Sequence, residues 1–516
     1  MQQLIRPRQF SRRGVLKAAG VTAGAVGVAA ALPAAPATAA AGYAHPGLLH
    51  TREDLARMAA KVKAGAAPYQ AGYARLTANR HAQSGWTANP QETVVRGGSG
   101  QNYTVLYNDL HAAYQNGLRY HVGGDVAHAD TAVAILNAWS AKLTSLAGNA
   151  DRFLAAGLYG YQAANAAELV RDRPDFELER FRKMLATVFA PLSEDFLVHH
   201  NNAVVTNYWP NWDLTAMACV LATGIFCDDS GKVEQAVEYF RNGSGLGSVK
   251  HAIPVVRDDG LAEWLEAGRD QGHALLGVGL MGTVCEMAWN QGIDLYGYDD
   301  SRFLKGAQYV AKWSLGGDVP YTANTRRKGA IGGWSGTETA SGAAGVDPTM
   351  VRPIWAMIAN HYTKRRGLSA PYLTRIAAKA SPEGGGGDYG PNSGGYDQLG
   401  FGTLAFTRDK VSPTTASATP SASTTPSGSA TGSATAGAGA GAGGPTATAP
   451  SATGAGASAT AASGASGASG ASGRDGGLAA TGSTDFVAWT ASAGLTALAG
   501  GLLLLRRRDR VRREAE

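Results

Sequence analysis

From Thr51 onward, apolar residues return every three or four positions in segment after segment, the period of helices that each bury one face. Thr51 is a cap with Asp54 three residues later, and Leu55, Met58, Ala59 and Val62 follow at helical spacing. Further helical patterns cover about 104–120, 127–145, 151–172, 176–190, 211–227, 231–241, 261–291, 302–314, 348–363 and 370–379. Short links between so many helices predict an all-α fold of antiparallel pairs, arranged in a ring around a cleft lined by loops. The links are rich in Gly, Asn, Tyr and Trp, and little β-structure is expected beyond a short terminal strand at Tyr396–Phe401 and Thr403–Phe406.

This helical region, 42–409, is flanked by segments of other kinds. Ser11-Arg12-Arg13-Gly14-Val15-Leu16-Lys17, a weakly apolar stretch from Val21 to Leu32 and Ala37-Thr38-Ala39 read as a twin-arginine export signal over 1–41. Residues 410–477 are almost entirely Ala, Gly, Ser, Thr and Pro, without aromatic residues to build a core, and read as a disordered stalk. Over 478–516, the pentapeptide Leu478–Gly482 precedes an uncharged apolar run, Phe486–Leu505, and a basic tail, 506–516. The run has the ~20 residues that span a bilayer, and its basic flank would stay inside.

The leader holds five cations and no acid, and residues 483–516 hold a surplus of two, so the rest of the chain sums to −1 against the whole-chain +6. The basic balance therefore belongs to targeting segments and gives no argument for a nucleic-acid partner. Cys219, Cys227 and Cys285 lie in apolar helical patterns and read as buried thiols, with one bridge left open.

Two constellations carry chemistry. In Glu266-Ala267-Gly268-Arg269-Asp270-Gln271-Gly272-His273, a helix would align Glu266, Arg269, Asp270 and His273 on one face that leads into the apolar run Leu275–Val284. Charges entering a core must be paired or used. In Asn207-Tyr208-Trp209-Pro210-Asn211-Trp212-Asp213, aromatics and amides at a helix entrance suit a sugar platform, or else a capped helix over buried rings. His199-His200 has no second ligand group at metal spacing, so neither a metal nor a cofactor is expected.

The three-part order of the C-terminus resembles a sorting signal for sortases of Gram-positive bacteria, in a Leu-Ala-x-Thr-Gly variant. That resemblance implies cleavage between Thr481 and Gly482, transfer of Thr481 to a cell-wall amine, and membrane anchoring before sorting. With the twin-arginine machinery as export partner, it implies an exported protein displayed on the cell wall.

Asn207 to Asp213, Glu266 to His273 and Asn290-Gln291-Gly292-Ile293-Asp294-Leu295-Tyr296-Gly297 resemble the alginate lyase family, in the branch of alginate and glucuronan lyases, over most of 45–320. A weaker continuation runs through Arg352-Pro353-Ile354-Trp355 to His361-Tyr362. The resemblance implies an incomplete (α/α) toroid, a monomer, and β-elimination from an acidic, uronate-containing polysaccharide. In this chain Val205-Thr206-Asn207 stands where the best-known members have Asn-Asn-His, and His273 stands where they have tyrosine.

Elimination needs neutralisation of the uronate carboxylate, a base for the C5 proton and an acid for the departing O4. Asn211, protonated His273 and Arg269 are the expected neutralising group, with Glu266 orienting or charging His273. Tyr321 is the expected proton carrier, with Arg326 favouring its phenolate; Tyr208 and Tyr298 compete for that role. Arg269, Trp212, Trp209, Tyr208 and Arg326 are expected to bind substrate. Two other functions fit the residues. A glycoside hydrolase would draw a carboxyl pair from Asp258, Asp259, Glu263, Glu266 and Asp270, and a non-catalytic wall-anchored carbohydrate-binding protein would fit the stalk equally well but give no reason for four charges entering a core.

Overall fold

The computed structural model describes residues 42–387 and 396–410. The leader, the stalk and the sorting signal, including Thr481 and Gly482, lie outside the described residues. From Tyr43 onward the described residues belong to one unit.

The helices are α1 (Arg52–Lys63), α2 (Tyr69–Ala78), α3 (Tyr103–Gly123), α4 (Val126–Lys142), α5 (Asp151–Glu168), α6 (Leu178–Met184), α7 (Ala190–His199), α8 (Pro210–Phe226), α9 (Ser230–Asn242), α10 (Val249–Ala252), α11 (Gln271–Asn290), α12 (Tyr298–Ser314), α13 (Trp355–Asn360), α14 (Pro371–Ala380) and α15 (Gly402–Ala405). The α1 cap forms as expected: Asp54 N–H donates to Thr51 Oγ1 at 3.2 Å, and Thr51 N–H returns a bond to Asp54 Oδ2 at 3.3 Å.

Packing follows hydrophobicity. Every residue of α8 and all of α5 except Arg152 are buried, so these helices are apolar on all sides and stand at the centre. α3 packs on α5, α5 on α8, α8 on α11 and α11 on α13; α13 then meets α15, which returns to α1 and so to α3. Each of these has an amphipathic partner behind it, including α4 on α3, α9 on α8 and α12 on α11. Arg408 closes the succession by pairing with Asp54 at 2.5 Å and Glu286 at 3.4 Å. The fold is mostly helical, as the periodicity predicts.

Two β elements differ from expectation. Among the described residues Tyr396–Phe406 forms no strand, only an isolated antiparallel bridge between Gly385 and Gly400; Phe401 turns left-handed (φ 57°) and α15 follows. A hairpin absent from the sequence reading joins β5 (Asn324–Gly329) to β6 (Ser335–Ala340), after the short pairs β1 (Thr93–Val95) with β2 (Ser145–Ala147) and β3 (Val255–Val256) with β4 (Ala262–Glu263). Cys219, Cys227 and Cys285 are all free thiols.

Candidate active site

The octapeptide 266–273 is not one helix. A tight turn, Leu265–Gly268, ends at Arg269, and Asp270 is fully extended (φ −167°, ψ 162°) as the cap of α11, its Oδ1 accepting His273 N–H at 2.8 Å. The four ionisable groups nevertheless meet in a chain. Arg269 Nη1 lies 3.0 Å from Glu266 Oε1, Arg269 Nε lies 3.5 Å from Asp270 Oδ2, and His273 Nδ1 lies 2.7 Å from Asp270 Oδ2. Asp270, rather than the expected Glu266, orients His273.

The ionisation states also depart from expectation. Burial opposes the charge on Asp270, but its hydrogen bond with His273 prevails and holds the carboxyl at about 2. Burial pushes His273 below its ordinary value, outweighing the upward pull of Asp270, while Arg269 and Arg352 press the same way as burial. His273 is therefore a neutral imidazole near pH 7, not the protonated group expected. An ionised carboxylate only accepts, so Nδ1 bears the proton, and Nε2 has no protein partner among the described residues. Glu266 is wholly buried, and burial lifts its carboxyl to about 8 despite Arg269.

α8 starts against this turn, with Pro210 in its first turn and Asn211 N–H donating to Glu266 Oε2 at 3.3 Å. Asn211 is 1% exposed and its Oδ1 has no partner among the described residues, so one hydrogen-bonding position of this amide stays open. The expected sugar platform is covered by protein. Trp212 is buried with its ring stacked 5.7 Å from Phe196 and 4.4 Å from Tyr208, whose hydroxyl accepts from Asn201 at 2.9 Å. Trp209 is flanked by two guanidinium groups, Arg326 at 4.5 Å and Arg269 at 5.8 Å from the ring centre. Trp209 thus holds the arginines rather than stacking on a sugar.

Tyr321 lies beneath the 265–268 turn and donates its hydroxyl proton to the Leu265 carbonyl at 2.8 Å. A Cβ on Gly268 would lie 2.3 Å from that oxygen, so the turn needs glycine to sit on the ring. Burial, followed by the charges of Glu263 and Glu266, pushes the phenol up to about 12. Arg326 does not favour a phenolate here. It donates to the carbonyls of Asn207 and Thr206 and pairs with Glu338 at 2.9 Å. Tyr298, the other competitor, opens α12 and lies near Phe240, Arg241 and Lys250.

Other expected groups prove structural. His200 reaches Asp213 at 3.1 Å and the Tyr239 hydroxyl at 3.0 Å, a buried network that also takes Gly247 N–H. Glu263 pairs with Arg257 and accepts from Thr322 N–H at 2.6 Å and its hydroxyl at 3.0 Å, so one carboxyl of the hydrolase set is already committed. Among the described residues, no three His, Cys, Asp or Glu side chains converge as a metal-ligand set. One buried pair is not foreseen by the sequence: Arg352 with Asp397 at 3.1 Å, of which Arg352 presses on His273 through its charge while His273 in turn acts on Asp397. The only signal was Arg352 in the weaker continuation of the resemblance.

The packed helices thus bring a carboxylate-held imidazole, a guanidinium and a buried amide to one site. The alginate lyase family model matches residues 51–319, more than half of the chain, and the chain belongs to the alginate lyase family. Among solved structures it is similar to alginate lyase A1-III from Sphingomonas species A1, at 16% identity over 71% of this chain and 98% of that one, with a TM-score of 0.45. It is also similar to an alginate lyase from Bacteroides ovatus, at 16% identity over 51% and 82%, with a TM-score of 0.36. A variant of A1-III complexed with a tetrasaccharide is similar at 16% identity over 66% and 94%, with a TM-score of 0.39. Comparison with curated proteins finds no match.

Proposed function

We propose that this polysaccharide lyase cleaves a uronate-containing polymer, alginate or glucuronan-like, by β-elimination. The observation that carries the reading is the Asp270–His273 pair, 2.7 Å apart, with Nε2 open and Arg269 held by the same carboxylate at 3.5 Å. Asp270 fixes the tautomer, so Nε2 presents a lone pair to the C5 proton, and the lowered basicity keeps that lone pair free near pH 7.

Arg269 neutralises the uronate carboxylate and the enolate-like charge that grows on it, with the side-chain N–H of Asn211 as the candidate second donor and its open Oδ1 left to accept a sugar hydroxyl. Glu266, its carboxyl lifted by burial, holds Arg269 through Oε1 and the first turn of α8 through Oε2. Tyr321 keeps its proton and is the candidate acid for the departing O4, once it exchanges the Leu265 carbonyl for the glycosidic oxygen. The electron pair of the C5–H bond forms the C4–C5 double bond as the C4–O4 bond breaks.

The test is a screen of the purified protein against alginate, glucuronan and other uronate polymers, read as near-ultraviolet absorbance of the conjugated uronate. Elimination raises the absorbance with each cut. New reducing ends without absorbance would mean hydrolysis, and binding without new ends would mean a carbohydrate-binding protein; either result overturns the reading. The export signal and sorting pattern support display on the cell wall of a Gram-positive bacterium.

A further inference from the structure

The β5–β6 hairpin begins after the family match ends at residue 319. One of its faces is already at the site. Register pairs Arg326 with Glu338 and Lys328 with Gly336, and side chains alternate along a strand, so these four positions and Trp334 share a side. On that side Arg326 covers Trp209, Glu338 bridges Arg326 at 2.9 Å and Lys328 at 3.2 Å, and Asn207 Oδ1 accepts Gly329 N–H at 2.8 Å.

At the far end stands Trp334, 68% exposed, where most tryptophans of the described residues are buried or partly buried. Its six-membered ring rests on Gly336, where a Cβ would lie 3.0 Å from the indole. The glycine seats one side of the ring, and most of the remainder faces solvent. A single exposed apolar side chain is ordinary on a protein surface; what marks this indole is its place on the face that carries Arg326, Lys328 and Glu338.

We infer that Trp334 is a distal sugar-binding platform, on which a uronate unit of the polymer stacks while Lys328 takes its carboxylate. The inference rests on the proposed acidic substrate. The ring's open face suits the C–H side of a pyranose. Arg326 and Lys328 share the single carboxylate of Glu338, which leaves this face with one net positive charge, and partly exposed Lys328 is the cation nearest Trp334 in register to meet a polyanion. Four residues separate Trp334 from Glu338, about 13 Å at strand rise. That distance adds to the reach from Arg269 across Trp209 and Arg326 to Glu338, so a long chain covers both ends where a trisaccharide held at Arg269 does not. The platform therefore favours polymer over short fragments.

The experiment compares the full chain with Trp334→Ala, Trp334→Phe and Gly336→Val, using alginate, glucuronan and their trisaccharides. Trp334→Ala is expected to raise KM for the polymer roughly three- to tenfold and to shrink the polymer's advantage over the trisaccharide. Trp334→Phe keeps most of that advantage, and Gly336→Val, by unseating the indole, loses it with the tryptophan still present. Polymer-induced change in tryptophan fluorescence, which needs no turnover, is expected to fall sharply in Trp334→Ala. An unaltered polymer-to-trisaccharide KM ratio, or an unaltered fluorescence response, overturns the platform. If the wild type forms no unsaturated product but binds polymer through Trp334, the platform stands and the elimination reading falls.

Discussion

At His273 the protonation state decides the mechanism. Burial leaves the imidazole neutral near pH 7, so a base role makes kcat/KM rise with pH through a value below the ordinary 6.5 and then level off. A charge-neutralising imidazolium would show the reverse, with activity falling over the same range. His273→Ala is expected to lower turnover by on the order of 10²–10⁴. Asp270→Asn keeps an α11 cap, since either side chain accepts His273 N–H, and so should leave the melting temperature close to wild type. It removes the carboxylate that raises His273, so the acid limb should move to lower pH while the plateau falls. A lost plateau with an unmoved limb would show that Asp270 only caps the helix. At Glu266 the consequence is for stability. Its folded carboxyl titrates at about 8 against an ordinary 4.5, so the native state binds the extra proton between those values and wild-type stability falls as pH rises through that window. Glu266→Gln stays neutral throughout and should flatten the decline of melting temperature from about pH 5 to 8; parallel curves would place the proton elsewhere. The residue types of this site were legible in 266–273, but their pairing was not. Helical spacing assigned Glu266 to His273, whereas the extended backbone at Asp270 hands that contact to the cap.

At the scale of elements, the apolar period located α3, α4, α5, α8, α9 and α14 to within a few residues, because burial on one side or all round leaves a repeat in the chain. The hairpin left no such trace. Thr325, Arg327, Thr337 and Thr339 face outward, and Arg326, Lys328 and Glu338 face inward, so both faces are polar and period two is invisible. Over 261–270 the apolar pattern misleads for the opposite reason: Leu261, Ala262, Trp264, Leu265 and Ala267 are buried by neighbours rather than by a helix of their own. What sequence periodicity cannot show is how near two helices lie. α5 and α8 approach so closely that a Cβ on Gly157 would lie 2.6 Å from Thr215 Cβ and 2.7 Å from its carbonyl carbon. The second of these is backbone and cannot rotate aside. Gly157→Ala is therefore expected to destabilise the fold by about 1–3 kcal/mol, read as a lower denaturant midpoint at unchanged slope, although alanine is the better helix former. An equal or higher midpoint would mean that the two central helices can separate without loss.

At the scale of the whole molecule, the catalytic unit contributes little of the chain's positive charge, which lies in the leader and tail. A near-neutral domain gains nothing from nonspecific attraction to polyanions, so attraction of acidic polymer falls to local cations such as Arg269 and Lys328. The proposed tether would serve the same end, because a fixed enzyme keeps its products near the cell. As a flexible coil the stalk would separate its ends by on the order of 45 Å, with room to extend further through a wall. We propose that the Leu478–Gly482 pentapeptide converts a transient membrane anchor, Phe486–Leu505, into a covalent wall attachment at Thr481. The two kinds of anchoring differ in what releases the protein. Attachment through Thr481 resists detergent and yields to wall-digesting enzymes, whereas an apolar span held in lipid yields to detergent. Thr481→Ala should leave export intact, since the twin-arginine leader is untouched, and should retain the apolar span and its basic tail. The variant is expected in the detergent extract at its full, unprocessed mass, and the wild type in the wall digest at a lower mass. Extraction of both by detergent, at the same unprocessed mass, would show that the segment only spans the membrane.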